Sequence, residues 1–320
     1  MSFPKNGFSH HAFEILTHGI HKDGLEVEII STPRPFTLDR KISPFLPQLE
    51  QHWRKESPKL TDMPSIFSVR KVRLQDDKIR FSCRPATFFD FLFTNCSLDL
   101  DLKTSDDQWT TLRSMLEQGQ LGESALDRNK KAATYGFPKL GNSLSISVAI
   151  ITSDNQLIAC LRKQDSQSYS KDKGCWVCPV ATHVKRHEPR FLDGNGNPSG
   201  QLSAQQGIAD ELGKEIAETC SPPVCLGLAY REDLHCCCLI YRSTSTLSAD
   251  GFTKIWAQTG LIEQQEYTSI AHFNLDEPEK LLAHLEQKEN CWSPQHSATA
   301  FFCLAYDQPR LVSNRTGLFF

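Results

Sequence analysis

Two glutamates, Glu211 and Glu215, stand four residues apart in the segment GIADELGKEIAE at positions 207–218. On a helix that spacing stacks their carboxylates on one face, about one turn apart. Two like charges so placed repel weakly, and a divalent cation between them turns the repulsion into attraction. Mg²⁺ takes oxygen ligands, keeps several waters and touches substrate phosphates, so such a pair suits hydrolysis of a phosphoanhydride. The same spacing is equally at home on a solvated helix face that holds no metal. Upstream, the loop from His183 to Arg190 concentrates positive charge in an otherwise neutral chain. Lys185, Arg186, His187 and Arg190 are candidates to clamp a diphosphate, against the plainer reading of a solvated loop.

The elements that must position these groups can be read from pattern. Ile208, Leu212 and Ile216 recur every four residues and predict a helix from about 203 to 218 with its apolar stripe inward. A polar, Gly-rich loop, 193–200, leads into it. Before that loop, 144–152 and 156–162 read as strands joined at Asp154-Asn155, and a third strand is expected through 176–180. After the helix, 224–230 and 235–241 are apolar enough for inner strands. A helix near 252–258, a strand near 268–273 and helices at about 277–289 and 294–306 follow, the last with Ser293 as N-cap and Pro294 at the first helical position. In the first 140 residues, 25–30 reads as a strand and 66–74 with 78–83 as a hairpin. Helices are expected around Leu46, Leu49 and Trp53, and through Trp109, Leu112, Met115 and Leu116 behind Ser105 and Asp106.

The chain has 320 residues, enough for one large or two coupled domains. Its 35 basic side chains face 38 acidic ones, for a net charge of −3, so any phosphate affinity must be local and nucleic acid is not an expected partner. No apolar run approaches the roughly 18 residues that a membrane span needs, and the first residues lack the apolar core of a secretory signal. A cytoplasmic location is expected, and the 12 cysteines then read as thiols.

Taken together, the order of strands, a Trp-x-x-Pro segment, a loop and a glutamate-bearing helix resembles the Nudix hydrolase family. In that family a W-x-x-P-G-G strand end leads through a loop into a helix of pattern R-E-U-x-E-E-x-G-U. Trp176-Val177-Cys178-Pro179 matches the first part, and Asp210-Glu211-Leu212-Gly213-Lys214-Glu215 lies over R-E-U-x-E-E. The segment from Ala86 to Asn95 is similar to the Y-R-D-F-L-G-T-N stretch of the UDP-sugar diphosphatase branch. His187-Glu188-Pro189 and the segment from Leu226 to Arg231 also look like parts of that branch. The likeness spans roughly residues 65–275. The box is degenerate. Val180-Ala181-Thr182 replaces the glycines, Asp210 the arginine, Lys214 the middle glutamate and Ala217 the terminal glycine.

The resemblance implies an α/β fold: a Nudix-like α/β/α sandwich with a mixed sheet at 140–320, including C-terminal helices, behind an N-terminal α/β domain at 1–139. It implies Mg²⁺ or Mn²⁺ held by Glu211 and Glu215, and a metal-bound water attacking phosphorus. The substrate would be a nucleoside diphosphate linked to another group, with a UDP-sugar, cleaved to UMP and sugar 1-phosphate, as the nearest guess. Glu188 would be a further ligand or base, and Glu266 and Glu263 alternative bases. A catalytically degenerate nucleotide-binding or regulatory module, and an interaction scaffold without ligand, stay open beside the hydrolase. Oligomeric state is not legible.

Other motifs carry less. Asp193-x-Asn195-x-Asn197 imitates the start of a calcium loop, but Pro198 stands where glycine is needed, so a turn is expected. Cys175-x-x-Cys178 has no second pair, and successive strand residues such as Cys236, Cys237 and Cys238 point to opposite faces. Buried thiols are the expectation for both.

Overall fold

The computed structural model describes residues 13–17, 23–56, 65–75, 77–121, 134–136, 139–164, 172–185, 188–259, 266–287 and 290–316. The fold is mixed α/β. Its first part holds β1 (Phe13–Ile15), β2 (Glu26–Ser31), α1 (Leu46–Glu56), β3 (Ser65–Gln75), β4 (Lys78–Thr87), α2 (Phe88–Leu92), β5 (Leu102–Lys103), β6 (Trp109–Thr110), α3 (Leu112–Glu117) and β7 (Thr134–Gly136). The second part holds β8 (Leu144–Ile151), β9 (Gln156–Arg162), β10 (Trp176–Val177), β11 (Val180–His183), α4 (Gly200–Leu212), α5 (Lys214–Ala217), β12 (Val224–Arg231), β13 (Cys236–Thr244), α6 (Ala249–Thr259), β14 (Tyr267–Asn274), α7 (Pro278–Glu286), α8 (Pro294–Asp307) and α9 (Pro309–Thr316).

Two sheets carry the architecture. The larger runs β1-β12-β13-β8-β9-β10, with β11 added to β8 and β14 to β9. The smaller runs β2-β4-β3-β7. Every residue of β8 is buried, because both of its faces are covered. Ile146, Val148 and Ile150 pack toward the side of α4 and α6, while Ala149 and Ile151 join the core under α7 and α8. The strand β1 belongs to the larger sheet although it begins the described chain, so residues on both sides of position 139 build that sheet.

The hairpin of β8 and β9 places the site. The two strands touch through a single pair, Ile151 with Leu157, beside a turn that Asn155 closes at φ 57°. From there they diverge. β8 pairs with β13 and β11, and β9 with β14 and β10. The open end of this V carries Ser145 on one strand and Arg162 on the other.

Three sequence expectations are corrected. The helix expected over 203–218 is two helices, because Gly213 adopts φ 89° and ψ 159° and turns the backbone out of helical geometry. The strand expected through 176–180 is split, because Pro179, which has no N–H, separates β10 on β9 from β11 on β8. Trp109 lies on the short strand β6, 68% exposed, and Thr111 caps α3 by accepting from the Ser114 N–H. All twelve cysteines are free thiols, and those at 236–238 are buried. The Asp193 loop is a turn, in which Asp193 Oδ1 accepts from the Asn195 and Asn197 N–H groups.

Candidate functional site

Ser199 starts α4 by accepting from the Leu202 N–H at 3.2 Å. The helix then lies close over β11, since a Cβ on Gly207 would come within 2.9 Å of the Thr182 side chain. This approach brings Glu211, in the last turn of α4, to β11, where its Oε1 accepts the Ala181 N–H at 3.1 Å. Glu215 stands beyond the Gly213 turn on α5 and is exposed. The two glutamates therefore do not share a continuous helix face.

The remaining residues expected at the site disperse. Asp210 accepts from Lys185 Nζ at 2.7 Å and Gln206 Nε2 at 2.6 Å. Burial raises the Asp210 carboxyl, but those two partners outweigh it and hold it below its ordinary value. Lys185 also lies 5.4 Å above the Phe191 ring. Arg190 pairs with Glu188 at 2.5 Å, both about half exposed, and stacks on Phe191. Glu188 thus has a cation of its own. Glu266 approaches Arg162, with 3.9 Å between Oε2 and Nη1. Arg186, His187 and Glu263 lie outside the described residues.

What the fold does assemble is a cavity of about 80 Å³ at the open end of the V. Phe91, Cys96 and Leu234 give it an apolar wall, and Ser145, Arg162, Asp172, His183, Arg231 and His296 a polar one. Arg231, 3% exposed, donates to both oxygens of Asp172 (2.7 and 3.1 Å) and both of Asp233 (2.7 and 2.9 Å). Burial alone would raise the Asp172 carboxyl, but Arg231 pulls it down to about 2. Two histidines are kept neutral by burial. His183, bonded to Ser143 and edge-on to Phe88 and Phe91, falls to about 4. His296, bonded to Ser147 at 3.0 Å, falls to about 3.

Arg162 is the centre of charge. Burial opposes its protonation, but Tyr267 and the carboxylates of Glu266, Asp172 and Glu211 outweigh that and hold it firmly cationic. Its Nε is buried and has no hydrogen-bond partner among the described residues. The carboxylates nearest the cavity thus already have cations, Glu266 approaching Arg162 and Asp172 held by Arg231. With Glu215 exposed beyond a turn and Glu211 held by a backbone N–H, this donor set does not fit a metal bridging the two glutamates. No group of three or more His, Cys, Asp or Glu side chains able to hold a metal ion occurs among the described residues.

Sequence reasoning missed Arg162, Asp172 and His296 as site residues. Arg162 and Asp172 flank positions 165–171, which lie outside the described residues, and only folding brings them together. His296 comes from a helix more than a hundred residues away. Arg231 lay within a segment already matched by resemblance, where nothing in its sequence neighbourhood marked it. The segment 86–95, singled out by the same resemblance, has an architectural role. Thr87 and Asp90 form a reciprocal cap on α2, and Asn95 Nδ2 donates to Leu234 O at 2.7 Å and Asn142 Oδ1 at 3.0 Å. That side chain pins the first part of the chain to the second.

No protein-family model matches the chain, and no curated protein does. Among solved structures, the MutT protein from Methanosarcina mazei Go1 superposes with a TM-score of 0.33 at 14% identity, over 52% of this chain and 94% of that one. Tm1382, assigned to the Nudix hydrolases, gives 0.29 at 10% identity, over 75% of this chain and 97% of that one. Likenesses of this size fix neither activity nor substrate.

Proposed function

We propose that the chain is a Nudix-like binding module for a nucleoside diphosphate-linked small molecule, in which a built-in guanidinium stands where a catalytic metal would be needed. The observation that carries this reading is Arg162. It is a cation largely withdrawn from water, 13% exposed, with Glu266 at 3.9 Å and the fields of Asp172 and Glu211 holding its charge, and with a buried Nε donor that no described protein group accepts. A buried donor without an acceptor costs roughly 1–3 kcal/mol, and a ligand oxygen entering the cavity would remove that cost. Neutral His183 and His296 add hydrogen-bonding capacity without adding charge. At about 80 Å³ the cavity takes only a phosphate group of such a ligand, beside the apolar wall of Phe91 and Leu234.

The test is a panel of UDP-, ADP- and GDP-linked compounds, UDP-sugars first, with and without Mg²⁺ or Mn²⁺. Thermal stabilisation that is indifferent to the metal, with no release of monophosphate, is the expected result. At a hundredfold excess over Kd, simple linkage gives roughly 2.7 kcal/mol. Arg162→Ala should remove most of it. A second reading, metal-dependent hydrolysis of such a compound, is favoured by one observation, that Glu211 remains fastened to the cavity wall through Ala181. Metal-dependent turnover lost in Glu211→Gln would establish that reading and sink the first.

A further inference from the structure

A second depression, of about 700 Å³, shares no lining residue with the cavity and lies against the smaller sheet. Five cationic side chains line it, Arg40, Lys41, Arg70, Arg84 and Lys139, against one carboxylate, Asp39. That carboxylate is already engaged, since it accepts the Lys41 N–H at 3.0 Å and pairs with Lys139 at 3.3 Å. No described carboxylate forms an ion pair with Arg40, Lys41, Arg70 or Arg84. In a chain whose net charge is −3, this is a strongly positive basin.

The fold builds the basin deliberately enough to place two arginines together. A register shift between Val69 and Lys71 makes Arg70 the extra residue of a bulge in β3, and a bulge re-aims the side chain it carries. Arg84 on β4 is half-buried, with its guanidinium 4.4 Å over the Phe36 ring. Its hydrogen bonds, to Ser68 Oγ at 3.4 Å and Leu140 O at 3.5 Å, are long. Burial and the neighbouring positive charge of Arg70 both push the Arg84 pKa below its ordinary value. An anion between the two arginines would relieve that repulsion. Guanidinium groups match phosphate oxygens in paired hydrogen bonds.

We infer that this groove is a second binding site, for a nucleoside polyphosphate. The volume falls within the usual 300–1,000 Å³ of small-ligand sites, which exceeds what a diphosphate group alone would fill. Leu38, partly exposed, supplies apolar lining for the nucleoside, above the buried Val69. The inference does not depend on the Arg162 cavity, and the experiment separates them.

ATP and inorganic pyrophosphate are titrated by calorimetry into the full chain, into Arg162→Ala, and into the exposed-site variants Arg70→Glu and Lys41→Glu. ATP should bind the full chain and should still bind Arg162→Ala, and pyrophosphate more weakly. Affinity for ATP should fall by about tenfold or more in each groove variant, in line with the loss of one charge-assisted contact. It should also weaken as salt rises. Binding that survives both groove variants, binding lost only in Arg162→Ala, or no ATP binding at all would overturn the inference. So would a single-stranded oligonucleotide that outcompetes ATP, because the partner would then be nucleic acid.

Discussion

The junction of α4 with α5 and the cavity beside it are built from the same kinds of charged side chain, under opposite conditions. At the junction, Glu215 and Glu218 point into water, and Lys214 reaches Glu218 across 3.5 Å with both groups largely exposed. In the cavity, Arg231 is buried and saturated by two aspartates, and Arg162, 13% exposed, is held cationic by the charges of Glu266, Asp172 and Glu211. Exposed pairs contribute little to stability, whereas removing one partner of a buried pair strands the other in low dielectric. The region that looked catalytic in sequence is therefore the tolerant one. The charged residues Arg162, Asp172 and Arg231, which nothing local in the sequence marked, are where the structure concentrates interaction energy.

The contrast can be broken most directly at Arg231. Arg231→Met leaves Asp172 and Asp233 without their cation, and should cost about 3–5 kcal/mol in denaturant unfolding. A loss below roughly 1 kcal/mol would mean that the network is not buried as described. Acid should act on the same region. The unfolded chain protonates its histidines below about 6.5, whereas folded His183 and His296 stay neutral down to about 4 and about 3. Between those values the unfolded state binds more protons, so stability falls as pH is lowered from 6.5, by a few kcal/mol at pH 4. Asp172 adds a loss in the same direction, from its ordinary 3.8 down through about 2. Urea midpoints measured from pH 7 to pH 4 check this, and His296→Gln should flatten the slope.

Gly213→Ala sharpens the comparison at the junction. If α4 and α5 were one helix, alanine would stabilise it by up to about 1 kcal/mol. At φ 89° and ψ 159° it should destabilise by roughly 1–3 kcal/mol instead. The smallest effect is expected at Glu215, where Glu215→Gln should change stability by less than about 0.5 kcal/mol and leave ligand-induced stabilisation intact. A large change in either would return Glu215 to the working site.

Periodicity made most of the elements legible. The 66–83 hairpin, the strands at 144–151 and 156–162, the pair 224–231 and 236–244, and the helix behind Ser293-Pro294 all follow from apolar spacing and local turn chemistry. The expectations that failed did so for local reasons that a pattern does not report. Gly213 fits a helical apolar stripe as well as its neighbours do, and only its backbone angles show that the helix stops there. Trp109 satisfies a helical face by spacing, yet the Thr111 cap begins the helix after it.

The sequence by itself determined the alternation of strands and helices and the neutral overall charge, because these depend on periods of two and 3.6 residues and on counting. Only the tertiary structure decided which charges meet. Arg162, Asp172, Arg231 and His296 are separated by as many as 134 positions, and they converge because β8 and β9 part after one pair and leave room between them. Burial at that opening then sets their ionisation, since the cost of a charge depends on what surrounds it in space and not on its neighbours along the chain.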